Sequence, residues 1–342
     1  MLDLLQELVE IESPTGGTRE LRDRLAAKLD EIGGTVAVHG EHLRADFAGP
    51  GAPLLLLGHL DTVWSRGTLD VMPWRVEDGR AYGPGSYDMK GGVVVMLEAV
   101  RHAAGARALR VVLTADEEIG TPTGRVLLAE AADGAAAALV CEPPTAEGNL
   151  KTARKGLGRF RIRITGRAAH AGEPEQGVSA IEERAREILR LHALSDPARG
   201  ITVNVGVVSG GTRENVVAAE AEALLDIRVA HAEDCDVIER ELRSPRAEVG
   251  GGWTRPPLER TAAGAALFAR AREIGRGLGL QLGEATVAGG SDGNLVAALG
   301  VPVLDGLGAE GGGAHALDEH VLVESLPVRT ALLARILRSL DS

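Results

Sequence analysis

Cysteine is nearly absent from this 342-residue chain: Cys141 and Cys235 are the only two. That excludes a disulfide framework and suits a reducing compartment. Aromatic residues make up only 2% of the chain, so its cores must be built from Leu, Val, Ile and Ala. Positive charge is also in deficit. Lys and Arg number 37 against 49 Asp and Glu, a formal net charge of −12. The overall field therefore repels polyanions, and nucleic acid is not expected as a partner. No apolar run approaches the length of a membrane span, so no membrane partner is expected. The first residues, MLDLLQELVEIESPTGG, scatter charges among apolar positions and lack the basic start and apolar centre of a secretory leader. A cytoplasmic location is the expectation.

What is present points to a folded α/β protein. Hydrophobic residues make up 44% and charged residues 25%, and the length is comfortable for two domains. Apolar positions at helical spacing run through residues 2–11 and 18–32. The stretches 54–57, 109–114 and 136–140 are continuous apolar runs, the mark of strands buried on both faces of a mainly parallel sheet. Helical patterns at 91–104 and 123–132 alternate with them. From about Lys155 the texture changes. Phe160, Ile162 and Ile164 alternate with Arg161 and Arg163, as in a half-exposed antiparallel strand. Helices at 178–194 and 232–243 and strands at 201–208 and 221–229 complete a βαββαβ-like unit. The α/β pattern then resumes near Ala262 and closes with a helix over 327–340. The expected organisation is a catalytic domain, 1–154 and 263–342, with a smaller α+β domain, 155–262, inserted into it.

The chemistry-bearing residues cluster at the ends of the buried strands, where open α/β sheets bind their ligands. The first run ends in Gly58-His59-Leu60-Asp61, the second in Ala115-Asp116-Glu117-Glu118, and the third in Cys141-Glu142-Pro143. Between the first two lies Gly83-Pro84-Gly85-Ser86-Tyr87-Asp88, and a glycine-rich turn near the C-terminus carries His315. No Gly-x-Gly-x-x-Gly follows the first strand, so a dinucleotide site is disfavoured. Carboxylates gathered on one rim repel one another, and metal ions neutralise them at least cost. Histidine and carboxylate ligands without thiolate favour Zn²⁺, with Mn²⁺ or Co²⁺ as substitutes.

In order, GHLDTV, GPGSYDMKGG, TADEEIG, CEP, AAHAG, GGSD and GGGAH resemble the zinc exopeptidase family. That family includes glutamate carboxypeptidase of the carboxypeptidase G type, acetylornithine deacetylase and succinyl-diaminopimelate desuccinylase. The resemblance implies two Zn²⁺ per subunit bridged by Asp88, one also held by His59 and Glu142, the other by Glu118 and His315. It implies Glu117 as general base, with Asp61 orienting His59, and a cis peptide after Asp88. It further implies that the inserted domain is a lid and makes a homodimer, and that its His170 reaches the partner's site to stabilise the oxyanion. Asn215 and Arg228 match the pair that grips the substrate carboxylate, Gly290 a backbone contact in the pocket, and Arg255 a contact to an acidic side chain. The expected activity is removal of a C-terminal amino acid, glutamate or aspartate favoured, from a small peptide or N-acyl amino acid. Two alternatives stay open: a biosynthetic deacylase using the same machinery, and a non-catalytic peptide-binding relative.

Overall fold

The computed structural model describes residues 1–339; Leu340, where the closing helix is expected to end, lies outside them. The chain divides into two compact units. One comprises Met1–Ala153, Arg260–Thr286 and the chain from Ser291 on; the other comprises Arg154–Glu259 and Val287–Gly290. The short return segment is tied to the second unit by polar contacts: Lys155 N donates to Val287 O at 2.9 Å, and Arg154 Nη1 to Gly289 O and Gly290 O at 3.1 and 3.2 Å.

The first unit is mixed α/β. Its six-stranded sheet runs Thr35–His39, His42–Phe47, Leu109–Thr114, Leu54–His59, Ala137–Val140, Val303–Leu304. The last four are parallel to their neighbours and the first two add antiparallel. Every residue of Leu54–His59 is buried. Leu54 and Leu56 join a core with Val93, Met96, Val100 and Leu333, while Leu55 and Leu57, alternating to the opposite face, are equally buried. Each such leucine contributes about 1.5–3 kcal/mol by leaving water.

Helix Gly91–Ala103 is buried along nearly its whole length, which explains why its sequence has almost no polar face. Its start must approach the sheet closely. A Cβ at Gly92 would collide with the Cys141 carbonyl oxygen, so only glycine lets this helix end pack beneath the end of strand Ala137–Val140. That approach brings Asp88, just before the helix, towards Glu142, just after the strand.

A small antiparallel sheet was not visible in the apolar pattern because its strands are only two or three residues long. It pairs Gly311–Gly312 with His320–Leu322, then Arg80–Tyr82, then Arg75–Glu77. It sets the turn carrying His315 beside the segment carrying Asp88.

The second unit is one antiparallel sheet ordered Thr202–Gly210, Glu220–Val229, Gly156–Thr165, Ala247–Arg255. Phe160, Ile162, Leu225 and Ile227 pack on one face with Leu191 from helix Ala180–His192 and with Ile238 and Leu242 from helix Glu233–Leu242. The alternate positions Arg159, Arg161 and Arg163 are exposed on the other face. Three consecutive glycines, 250–252, concealed the last strand in the sequence. No helix among the described residues is long and apolar enough to cross a membrane.

Candidate metal centre

Every side chain expected to ligate metal lies in the first unit, and the structure brings all five together. His59 is the last residue of its strand. Its Nδ1 lies 2.8 Å from the Asp61 main-chain oxygen, which favours a proton there and leaves Nε2, in the neutral ring, as the inward-facing lone pair. Nε2 faces Asp88 Oδ1 at 3.3 Å and Glu142 Oε1 at 3.5 Å. His315, from its turn, faces the other oxygen: its Nε2 is 3.4 Å from Asp88 Oδ2 and 3.6 Å from Glu118 Oε2. Asp88 thus presents one oxygen to each imidazole, and each imidazole also faces a second carboxylate. Ligand atoms of His59, Glu117 and Glu142, and separately of His59, Asp88 and Glu118, all lie within 4.8 Å of one another. The Asp88–Met89 peptide is cis.

Asp61 does more than face His59. Its carboxylate is 3.5 Å from the imidazole Nδ1, whereas it accepts hydrogen bonds from the amides of Glu117 at 3.1 Å and Glu118 at 3.2 Å and from Thr15 Oγ1 at 2.7 Å. It therefore pins the turn that delivers both glutamates. Burial would raise the Asp61 carboxyl, but the bonds from His59, Thr15 and Glu117 hold it below its usual range.

Electrostatics shows how strongly this cluster demands positive charge. Burial, reinforced by Asp88 and Glu117, pushes Glu118 up to about 8. The Asp88 carboxylate beside it raises His315 to about 9. His59 is raised well above its ordinary value, against burial, by Asp61 and Asp88. Burial opposes ionisation of Asp88 too, yet His315 and His59 hold it far below the carboxylate range. One oxygen of Glu118, Oε1, is buried without a hydrogen-bond partner, a cost of about 1–3 kcal/mol for a neutral group and more for a charged one. A divalent cation relieves both strains, and nitrogen and oxygen donors without thiolate suit Zn²⁺, Mn²⁺ or Co²⁺. The thiol of Cys141, next to Glu142, is buried, and that burial pushes its pKa up.

The other expected site residues belong to the second unit. His170 is exposed, and its Nδ1 accepts from the Gly172 amide at 3.0 Å. That bond occupies Nδ1 as an acceptor and leaves Nε2 as the ring nitrogen able to donate. Asn215 lies beside it, its carbonyl accepting from the Ala171 amide at 3.0 Å. Arg228 is already in a two-pronged ion pair with Asp226, at 2.7 and 3.0 Å, and donates Nη1 to Ala288 O at 3.0 Å. Arg255 is only 3% exposed. Gly290 packs directly on it, since a Cβ there would meet Arg255 Cδ at 2.5 Å. Two residues at the metal centre escaped the sequence reading. Lys90, lowered to about 7 by burial against the pull of Glu319 and Glu12, donates Nζ to Ile11 O at 2.9 Å. Glu319 is fully buried and accepts from main-chain amides around Asp88. An acid four residues after a histidine reads as solvated surface, and nothing local marks it otherwise.

The model of peptidase family M20/M25/M40 matches residues 55–339. Carboxypeptidase G2 from Pseudomonas sp. is 33% identical over all of this chain and 89% of its own length. Acetylornithine deacetylase from Myxococcus xanthus is 33% identical over 83% of this chain and 79% of its own. Among solved structures, aminopeptidase PepT from Bacillus cereus superimposes with a TM-score of 0.83 at 22% identity, covering 99% of this chain and 98% of its own. An M20 family metallo-carboxypeptidase from Sulfolobus solfataricus gives 0.81 at 16% identity, covering 98% of each. At such identities these two speak for the fold.

Proposed function

We infer the activity from one premise: the chain belongs to peptidase family M20/M25/M40. It is a hydrolytic enzyme of the metallopeptidase and amidohydrolase kind. We propose that this cluster would hold two Zn²⁺, with Asp88, His59 and Glu142 as ligands of one and Asp88, Glu118 and His315 as ligands of the other. The observation that carries this is the division of the Asp88 oxygens between the two imidazoles, at 3.3 and 3.4 Å. When bound, such ions polarise an amide carbonyl and bring the pKa of water towards neutrality.

The chain's own residues supply the rest. Glu117, within 4.8 Å of the His59 and Glu142 ligand atoms, takes the proton of the attacking water and passes it to the leaving amine. His170, its Nδ1 already occupied by the Gly172 amide, is the Nε2 donor for the oxyanion. Asn215 and Arg228 hold the substrate's terminal carboxylate. Arg228 has the fork for it, with Asp226 as its resting partner that a substrate carboxylate must displace. The second unit acts as lid and as the contact of a homodimer in the cytoplasm.

The substrate is a small peptide or N-acyl amino acid from which a C-terminal amino acid is released. The match to carboxypeptidase G2 over the whole chain supports the carboxypeptidase reading, and Arg255 with Gly290 is the pair assigned to an acidic side chain and the pocket wall. The match to acetylornithine deacetylase over 83% of the chain supports a second reading, a deacylase on the same centre. Hydrolysis by zinc-reconstituted protein of dipeptides and N-acyl amino acids varied at the C-terminal residue, with a chelated control, separates them. Chelator-sensitive release of glutamate or aspartate is expected. Preference for a neutral or basic acyl amino acid assigns the deacylase, and no hydrolysis of any amide by zinc-loaded protein overturns both.

A further inference from the structure

Glu319 is buried completely, and no step proposed above uses it. Its oxygens accept four hydrogen bonds. Oε2 accepts from the Trp64 indole Nε1 at 2.7 Å and the Gly85 amide at 2.9 Å. Oε1 accepts from the amides of Tyr87 at 3.0 Å and Asp88 at 2.9 Å. Four donors fill the four lone-pair positions of a carboxylate, and bonds to an ionised acceptor are about twice as strong as neutral ones.

The donors are not scattered. Three are main-chain amides of the segment that delivers Asp88. That segment is not regular helix: Asp88 sits at φ −114°, ψ 94° and Met89 at φ −130°, ψ 35°. The amides of Gly85, Tyr87 and Asp88 stand at the start of this turn, where the segment offers them no preceding carbonyls of its own, and buried amides must be paired. Glu319 stands in for those carbonyls. Its own backbone lies beside the opposite ligand: the Glu319 amide donates to Ala316 O at 2.9 Å and closes the turn that directly follows His315. The Glu319 carbonyl accepts from Gly83 N at 3.3 Å. One residue fastens both segments that meet at the bridging carboxylate.

We propose that Glu319 is a positioning residue of this site, setting the backbone at Asp88 so that its two oxygens face His59 and His315 together. The assignment rests on the metal reading of those ligands. Glutamine at this position has one acceptor oxygen, so its NH₂ must confront two N–H donors, either Trp64 and Gly85 or Tyr87 and Asp88.

The test titrates metal-free wild type, Glu319→Gln, Glu319→Asp and Trp64→Phe with Co²⁺ while recording the visible spectrum. Hydrogen exchange of the 83–92 peptide is measured alongside, and kcat and KM at saturating metal. Glu319→Gln is expected to bind Co²⁺ about 10–100-fold more weakly, with an altered spectrum, faster exchange confined to 83–92, and a loss in kcat and not in KM. Trp64→Phe removes one outer donor and spares the amides, so it should lose far less. Glu319→Asp keeps the charge one methylene short and should fall between; it takes the place of the glutamine variant should that one not fold. Wild-type cobalt affinity and spectrum in whichever folded Glu319 variant is read would overturn the proposal. So would exchange accelerated throughout the chain with the cobalt spectrum unchanged, which marks a merely structural role. Should wild type itself take up no cobalt, the metal reading fails, while localised exchange at 83–92 still reports the hold of Glu319 on that turn.

Discussion

His59 and His315 reach the same carboxylate from opposite circumstances. His59 ends a strand buried on both faces, its side chain is 1% exposed, and its Nδ1 is held at 2.8 Å. His315 rises from a glycine-rich turn with φ +63°, and its side chain is 53% exposed. The distances to Asp88 nevertheless differ by only a tenth of an ångström. One half of the centre is built into the sheet by the hydrophobic core. The other half is set by loop geometry, where ordering costs conformational entropy that the core does not already cover. A centre made this way has a rigid side and an adjustable side, and the two should answer differently to the same insult.

Glu117 belongs with the rigid side, grouped with His59 and Glu142, and its loss should have the largest effect. Glu117→Gln is expected to lower kcat by about 10²–10⁴-fold, with metal content by elemental analysis unchanged. Activity within tenfold of wild type would remove Glu117 from the role of base. The histidines then test the contrast directly, in metal-free protein unfolded by urea. His59→Ala takes the imidazole from the buried Asp61 and from one oxygen of the partly buried Asp88 and should cost about 3 kcal/mol. His315→Ala also takes a charge partner from Asp88, but the half-exposed ring is screened by solvent, so it should cost less, about 1 kcal/mol. Equal losses would erase the distinction between the two sides.

The rigid side is also the side the sequence discloses. The apolar runs at 54–57, 109–114 and 136–140 mark strands by burial alone, and the strand ends place His59, Glu117, Glu118 and Glu142 in one region. The sheet is mixed α/β and mainly parallel, as those runs imply. The loop side was less legible because its order is set by tertiary hydrogen bonds and not by periodicity. The short strands Gly311–Gly312 and His320–Leu322 carry no run long enough to register, and Glu319 and Lys90 look like surface charges until the fold buries them. Position along the chain put Asp88 and His315 among the candidates, and motif resemblance gave them their roles as ligands. Arg228 and Arg255 show the limit of residue type as evidence: one already grips Asp226 and the other is buried against Gly290.

Metal removal should sharpen the comparison further. An ion at a hundred times its dissociation constant stabilises by about 2.7 kcal/mol, so chelation should lower the thermal midpoint by several degrees. Hydrogen exchange should rise across 311–319 and stay protected across 54–59. Uniform protection in both states would mean that the turn is as fixed as the strand.

Of the two losses of activity, the smaller is expected at Asp61, and its character matters more than its size. Its carboxylate holds the amides of Glu117 and Glu118, while the His59 ring is held most closely by the Asp61 main-chain oxygen. Asp61→Asn leaves that main-chain contact in place but turns an NH₂ towards one of the two glutamate amides. The base should therefore drift while His59 keeps its tautomer. The expected outcome is a roughly tenfold fall in kcat with zinc affinity by competition titration little changed. A fall in zinc affinity with kcat preserved at saturating metal would instead make Asp61 a residue that orients His59, and would move its carboxylate from the glutamate turn to the imidazole in any account of the rigid side.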